Sequence, residues 1–252
     1  MNLKKFASFG PAFIVLLCLF LLWQITGQVS GVSSRVLPLP LQIVTALVTN
    51  WSDLSPHVLQ TFVETVIGLF LAIILGSGIA LLLDLSKPIR RALYPLLVSS
   101  QTIPLIALAP LLLLWFGFGI FPKVVMVVLY CFFPIAVAMA GGLAQADTEL
   151  GDLLKSMKAT YWQSLRYVRI PGALPSFFAG LKIAATYSVS GAIVGEYVGA
   201  YQGLGVYMQT MAHSYATANV FAAIVVTAML SLVLFSVVSL LEKVFSMYSE
   251  AN

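Results

Sequence analysis

The polar side chains set inside apolar runs are the ones whose chemistry needs explaining in this sequence. Glu64 stands near one end of the run 59–83, and Glu196 follows Gly195 near one end of the run 177–200. A carboxylate among apolar residues is costly to keep ionised and marks a functional hypothesis, yet both lie close enough to the ends of their runs to reach an aqueous boundary. Glu196 precedes a Gly203-Leu204-Gly205 turn, so Glu196 and Gly203 are candidates for a gate or for contact with an outside partner. Ser99-Ser100-Gln101-Thr102 sits directly before Pro104, with Pro110 beyond it. Each proline removes a helical hydrogen bond, and carbonyls freed at membrane depth need protein or water beside them. Gln101 and Thr102 therefore fit the wall of a polar pathway, and equally fit helix–helix hydrogen bonding. Tyr187 and Ser188, in the middle of their run, divide in the same way between pathway lining and core packing. No paired carboxylates, Ser/His pair or metal constellation is visible: His57 and His213 stand apart, and Cys18 and Cys131 lie in apolar runs. The sequence lacks G-x-x-x-x-G-K-[ST], so nothing in it can cradle nucleotide phosphates as a P-loop does.

The elements that must position these residues are membrane spans. Hydrophobic residues make up 60% of the 252 and charged residues 9%, against about 25% charged in an ordinary soluble domain. Apolar stretches of roughly bilayer length recur along the chain. The expected spans are 11–27, 59–83, 93–118, 123–144, 177–200 and 220–245, in a single all-α membrane domain covering 1–252. The first run resembles a signal peptide, but it is long, contains Trp23 and ends without a small-x-small cleavage site, so it reads as a retained span. Residues 28–56 are rich in turns, and 37–51 have the apolar spacing of an interfacial helix. Lys4, Lys5, Lys87, Arg90, Arg91, Lys155, Lys158, Arg166, Arg169 and Lys243 fall on one side of the six spans, Arg35 and Lys123 on the other, and Lys182 near the inner end of the fifth. The positive-inside rule then places both termini in the cytoplasm. It also accounts for the formal charge of +4 without nucleic acid as a partner.

The stretch 147–175, DTELGDLLKSMKATYWQSLRYVRIPGALP, is the polar segment between the fourth and fifth spans. Asp147, Glu149 and Asp152 crowd its start while Lys155, Lys158, Arg166 and Arg169 follow, which suits a helix dipole. Leu150, Leu153, Leu154 and Met157 form an apolar stripe at helical spacing. A helix this short needs a surface to bury that stripe against, either a soluble partner or its own membrane domain.

This segment resembles the EAA loop of binding-protein-dependent ABC importer permeases, which reads Glu-Ala-Ala, three residues, Gly, nine residues, Ile-x-Leu-Pro. The same register here gives Asp152-Leu153-Leu154, Lys158, and Val168-Arg169-Ile170-Pro171. QTIPLIALAPLLLLWFGFG and GLKIAATYSVSGAIVGEYVGAYQGLG are similar to the span-three and span-five regions of the nitrate, sulfonate and taurine permease group, and the resemblance covers about 59–245. It implies the type I ABC importer permease fold, six transmembrane helices with a cytoplasmic two-helix coupling loop. Carried over, 152–157 and 159–168 would meet a cleft of the ATPase, with Asp152, Leu153, Leu154, Met157, Lys158, Ala159, Val168 and Pro171 as coupling residues. Asp replaces Glu, two leucines replace the alanines, and Lys158 stands at the turn glycine. A lysine at positive φ carries a penalty that glycine does not.

The resemblance implies a non-catalytic permease subunit in the inner membrane of a prokaryote. Its implied partners are a second copy of itself, cytoplasmic ATP-binding subunits, an extracytoplasmic solute-binding protein and the lipid bilayer. ATP and Mg would reside on the ATPase, leaving no cofactor on this chain. The wording of 156–175 and 180–196 is most similar to the branch associated with thiamine-precursor pyrimidines; sulfonate, taurine and nitrate belong to neighbouring branches. A reading of another class, a self-contained secondary transporter, would call for internal repeats and midplane ion-coupling carboxylates. No convincing repeat is visible, and that reading leaves 147–175 unexplained.

Overall fold

Prolines and glycines decide where the apolar runs begin, break and touch. The protein is seen here as a computed structural model that describes residues 3–29, 31, 33–146, 150, 153–154 and 156–250. In chain order the described elements are α1 (Leu3–Val29), α2 (Pro40–Thr49), α3 (Trp51–Leu85), α4 (Lys87–Ser100), a 3-10 turn (Leu105–Leu108), α5 (Ala109–Phe116) and α6 (Phe121–Ala144). They continue as α7 (Tyr161–Ser164), a π turn (Leu165–Arg169), α8 (Ile170–Tyr197), α9 (Leu204–His213) and α10 (Thr217–Glu250). No strand occurs among the described residues.

Four helices are long and apolar enough to cross a bilayer: Trp51–Leu85, Phe121–Ala144, Tyr161–Tyr197 and Thr217–Phe245. Two differences from the sequence reading matter. The expected span 93–118 is not one helix, because α4 and the Leu105–Phe116 segment meet at 86° and make a fifth span only if counted together. Pro104 and Pro110 cannot donate to the helical ladder, so the chain turns where Ser99–Thr102 would otherwise continue it. The polar stretch expected to end at 175 is already helical from Tyr161 and runs without interruption into α8. The interfacial helix expected in 37–51 is present as α2. α1 carries an apolar stretch over Ile14–Val29.

At the centre lies α6, packed against α3 on one side and α8 on the other. Val127, Cys131 and Ile135 of α6 are fully buried with Ala72 of α3 and Ala184 and Ala185 of α8. Small residues let the backbones approach this closely, since lipid offers no hydrophobic drive between spans and packing contact must hold them. A Cβ on Gly180 would lie 2.5 Å from the Pro134 carbonyl oxygen, and one on Gly142 3.0 Å from the Ala173 Cα. In contrast, α10 packs along α8 but leaves Leu232 and Leu240 exposed. The α1 helix lies against α2 and sets Trp23 on Phe221 of α10.

Gly180→Ala should therefore cost about 1–3 kcal/mol, the overpacking penalty, because a backbone carbonyl cannot rotate away. Gly78→Ala, whose Cβ would meet nothing within 4 Å, should be neutral or stabilising by helix propensity. Thermal unfolding in detergent separates the two, and equal midpoints would refute the close α6–α8 seam.

Candidate functional site

Three places gather the polar residues of the spans. The first joins the end of α8 to α3, α6 and the start of α9. Glu196, only 1% exposed, accepts hydrogen bonds from the Thr61 hydroxyl at 2.6 Å and from the Gly205 N–H at 2.5 Å. Thr61 Oγ1 in turn accepts from the Leu204 N–H at 2.8 Å. His57 Nδ1 lies 2.9 Å from the Gly203 carbonyl oxygen and 3.0 Å from its nitrogen, so the ring tautomer selects which of them it bonds. Gly203 has φ +133, and a Cβ there would fall 2.2 Å from the Glu196 carboxyl carbon. The 203–205 turn is thus wrapped around the carboxylate, and Glu196 itself presents no surface to the outside.

Glu64, fully buried in α3, completes this cluster. It accepts from Gln60 Nε2 at 2.7 Å and pairs with Lys123 Nζ of α6 at 3.4 Å. Its second oxygen and the Thr65 hydroxyl are buried without a hydrogen-bond partner among the described residues. Sequence reasoning left Lys123 as an exterior topology charge, whereas the structure buries it as the counterion of Glu64. The available signal was a lone lysine and a lone glutamate at similar depth on two different spans.

The second place is a hollow of about 320 Å³ midway along α6 and α8. Gln101 and Leu105 enter it from the broken span, Tyr130 and Phe133 from α6, and Ile183 and Tyr187 from α8. Gln101 and Tyr187, two of the four residues read from sequence as pathway candidates, meet here. The other two do not: Ser188 is fully buried and donates to the Ala185 carbonyl at 2.7 Å, and the Thr102 hydroxyl donates to Ser99 O at 2.8 Å. Tyr130 and Phe133 carried no sequence signal beyond being aromatic residues three apart in an apolar run, which reads first as core. Pro134, beside them, has no N–H to donate to the Tyr130 carbonyl four residues back.

The third place is the segment before α8. The Ala159 N–H reaches back to the Leu154 carbonyl at 2.9 Å, and Lys158 has φ +58. This is the 6→1 bond and left-handed residue of a Schellman helix end, so Lys158 does occupy a turn of the kind that favours glycine. Asp152, Asp147, Glu149 and Lys155 lie outside the described residues. Leu153 and Met157 are 57% and 71% exposed, and Trp162 and Tyr167 are similarly open. Leu154, Ala159, Val168 and Pro171 are half-buried. A second capped start follows at Thr160, whose hydroxyl accepts from the Gln163 N–H at 3.4 Å. Asp84, at the end of α3, holds the segment down: it pairs with Arg169 Nη1 at 2.5 Å and accepts from the Tyr161 hydroxyl at 3.0 Å.

A broken span, a packed α6–α8 pair and an exposed apolar segment feeding directly into a span together describe a membrane transport subunit, and comparison with known proteins agrees. Residues 65–246 match the family described as binding-protein-dependent transport system inner membrane component, and the chain belongs to it. It is therefore an ABC importer permease subunit, a multi-pass protein of the inner membrane. The chain is 39% identical to the formylaminopyrimidine transport permease protein ThiX of Halalkalibacterium halodurans, over 96% of each sequence. It is 31% identical to a putative aliphatic sulfonates transport permease protein, SsuC, of Bacillus subtilis, over 88% of this chain and 81% of that one. A solved structure of the MetNI methionine ABC transporter in an inward-facing conformation shares the fold, with TM-score 0.68 at 21% identity, covering 76% of this chain and 95% of that one.

Substituting Gly203→Ala places a side chain at a positive φ and against the Glu196 carboxyl group. The expected cost is about 1–3 kcal/mol, the scale of a strained backbone residue, with earlier proteolysis in the 201–205 turn. An unchanged midpoint and unchanged cleavage would show that the carboxylate does not hold this turn.

Proposed function

We propose that this chain, as a homodimer, forms the solute pathway of an ATP-driven importer and carries a thiamine-precursor pyrimidine inward. Six spans put both termini in the cytoplasm, and a twofold-symmetric pair supplies the second wall of the pathway. Cytoplasmic ATP-binding subunits hydrolyse the ATP with its Mg, and an extracytoplasmic binding protein delivers the solute to the face that carries 201–205. The coupling residues are Asp152, Leu153, Leu154, Met157, Lys158, Ala159, Val168 and Pro171.

The exposure of Leu153, Met157 and Trp162 carries the coupling half of this reading. Apolar side chains left open together on a short helix mark a surface that a partner covers. The segment is also mechanically connected: it continues through the π turn into α8, and Asp84 ties it to α3. Movement imposed on it by an ATPase would reach two spans at once.

For the solute, the supporting observation is that no charged residue is among the described residues lining the hollow at Gln101. Lys123 pairs with Glu64 and Lys182 with Glu242 at 2.8 Å, and no lysine or arginine is among the described residues lining that hollow. A pathway for sulfonate or nitrate would be expected to offer an unpaired one. The similarity to ThiX points the same way; the similarity to SsuC keeps sulfonates as the competing outcome.

Replacing 152–157 with a Gly/Ser stretch should abolish co-purification of the ATPase while membrane insertion persists; retained co-purification would refute the docking role. Deleting the gene should remove uptake of labelled hydroxymethylpyrimidine in a host with no second route, and excess taurine should not compete with that uptake in the parent strain. Pyrimidine uptake unaffected by deletion would move the assignment to sulfonates.

A further inference from the structure

We infer that the hollow between the broken span, α6 and α8 is a transit site that reads a flat aminopyrimidine, with Gln101 on its edge and Tyr130, Phe133 and Tyr187 on its faces. The inference rests on the substrate class proposed above and adds the residues that recognise it.

The composition of the hollow is the first argument. Three of the residues facing it are aromatic, one is a carboxamide, and none is charged. Its volume of about 320 Å³ falls at the lower end of small-molecule sites. Aromatic faces favour a planar π-system over a compact tetrahedral anion, because stacking needs a second flat face. Phe133 and Tyr130 project from positions three apart on α6, so both lie on the same side of that helix. Tyr187 comes from α8 across the seam closed by Gly180 and Gly191, whose absent side chains let the two helices approach.

Hydrogen-bonding capacity is the second. The Gln101 amide and the Tyr130 and Tyr187 hydroxyls make no hydrogen bond to any described residue, in contrast to neighbouring Ser100 and Thr102, whose hydroxyls donate to Leu97 O and Ser99 O. A carboxamide offers one acceptor and one donor side by side. An amino group next to a ring nitrogen offers the complement, so a glutamine can close two parallel hydrogen bonds with it, as it does with the amino edge of adenine. Sulfonate has acceptors only and cannot make that pair.

Position is the third. Gln101 is held at the tip of the break by hydrogen bonds from the 101–103 amides to Val98, Ser99 and Ser100. Non-helical backbone at that depth is tolerated where it lines a cavity, and the cavity it lines is this one.

The test uses the permease assembled with its ATPase and binding protein. Uptake is measured for hydroxymethylpyrimidine bearing the amino group and for the analogue with hydrogen in its place. Wild type should prefer the amino compound. Gln101→Leu should shrink that preference by roughly tenfold, the discrimination of a bidentate pair, while ATPase co-purification stays normal. Gln101→Met, close in shape, repeats the measurement should the leucine variant fail to assemble. Phe133→Leu should lower uptake of both compounds alike and leave the preference intact. The binding protein is common to all variants, so a changed ratio belongs to the permease. An unchanged ratio in both Gln101 variants, with wild-type uptake normal, overturns the site. No uptake of the amino compound by the wild type overturns the substrate reading beneath it.

Discussion

A bilayer offers no water to an unpaired peptide group, and the structure turns on where that rule is broken. Between Ser100 and Ala109 the helical ladder is interrupted at membrane depth by Pro104 and Pro110. Such a break is sustainable only beside protein or a polar cavity. The chain meets the requirement in two ways. Local bonds from 101–103 to the preceding carbonyls close the turn, and the exposed side of the break faces a hollow that contains Tyr130, Tyr187 and Gln101. On the facing side Pro134, inside the continuous helix α6 and next to Tyr130, removes one further ladder bond. A broken span and a proline-bearing helix opening on one cavity is an arrangement that stability alone does not ask for, which makes the cavity the candidate for a pathway.

The neighbouring span, α8, is anchored at both ends by groups that are themselves buried. At one end Glu196 receives Thr61 and the Gly205 N–H, fixing the 203–205 turn against α3. At the other, Asp84 takes both Arg169 and Tyr161, fixing the preceding segment against the far end of α3. A half-buried charge pair is a weak guarantee of stability, since desolvation offsets much of the attraction. Its value here is positional. These contacts tie α8 to α3 at both ends. α6 is held between them through glycine contacts, with the hollow on its flank.

Much of this could be read from the chain before any coordinates. Long apolar runs, the charge distribution and the 147–175 segment established a helical membrane protein, and the segment's register placed Lys158 at a turn that the structure confirms as left-handed. The break of the third span was foreshadowed by Pro104 and Pro110 but read as a single span, because hydropathy averages over a bend. The pairing of Lys123 with Glu64 had only a weak signal, since each looks like an end-of-span charge until two helices are laid side by side. Tyr130 and Phe133 were invisible for a different reason: an aromatic residue in a span reports burial in lipid, core or cavity with the same letter. For Ser188 the structure shows the second of its two sequence readings, core packing, with the hydroxyl satisfied by its own helix.

The character of the hollow also bears on how such a machine can work. A transport site must hold its solute long enough to define a route and weakly enough to release it. A charged clamp on a charged solute in low dielectric would bind too strongly to let go without large rearrangement, since Coulomb attraction grows as water is excluded. The described lining of the hollow holds no charged residue that could form such a clamp. What remains is stacking and neutral hydrogen bonding, interactions of modest net strength in which water can replace the solute on either side. A pathway of this kind suits a flat, uncharged heterocycle. On the proposed reading, the directional work falls to the ATPase, not to an affinity gradient built into the wall.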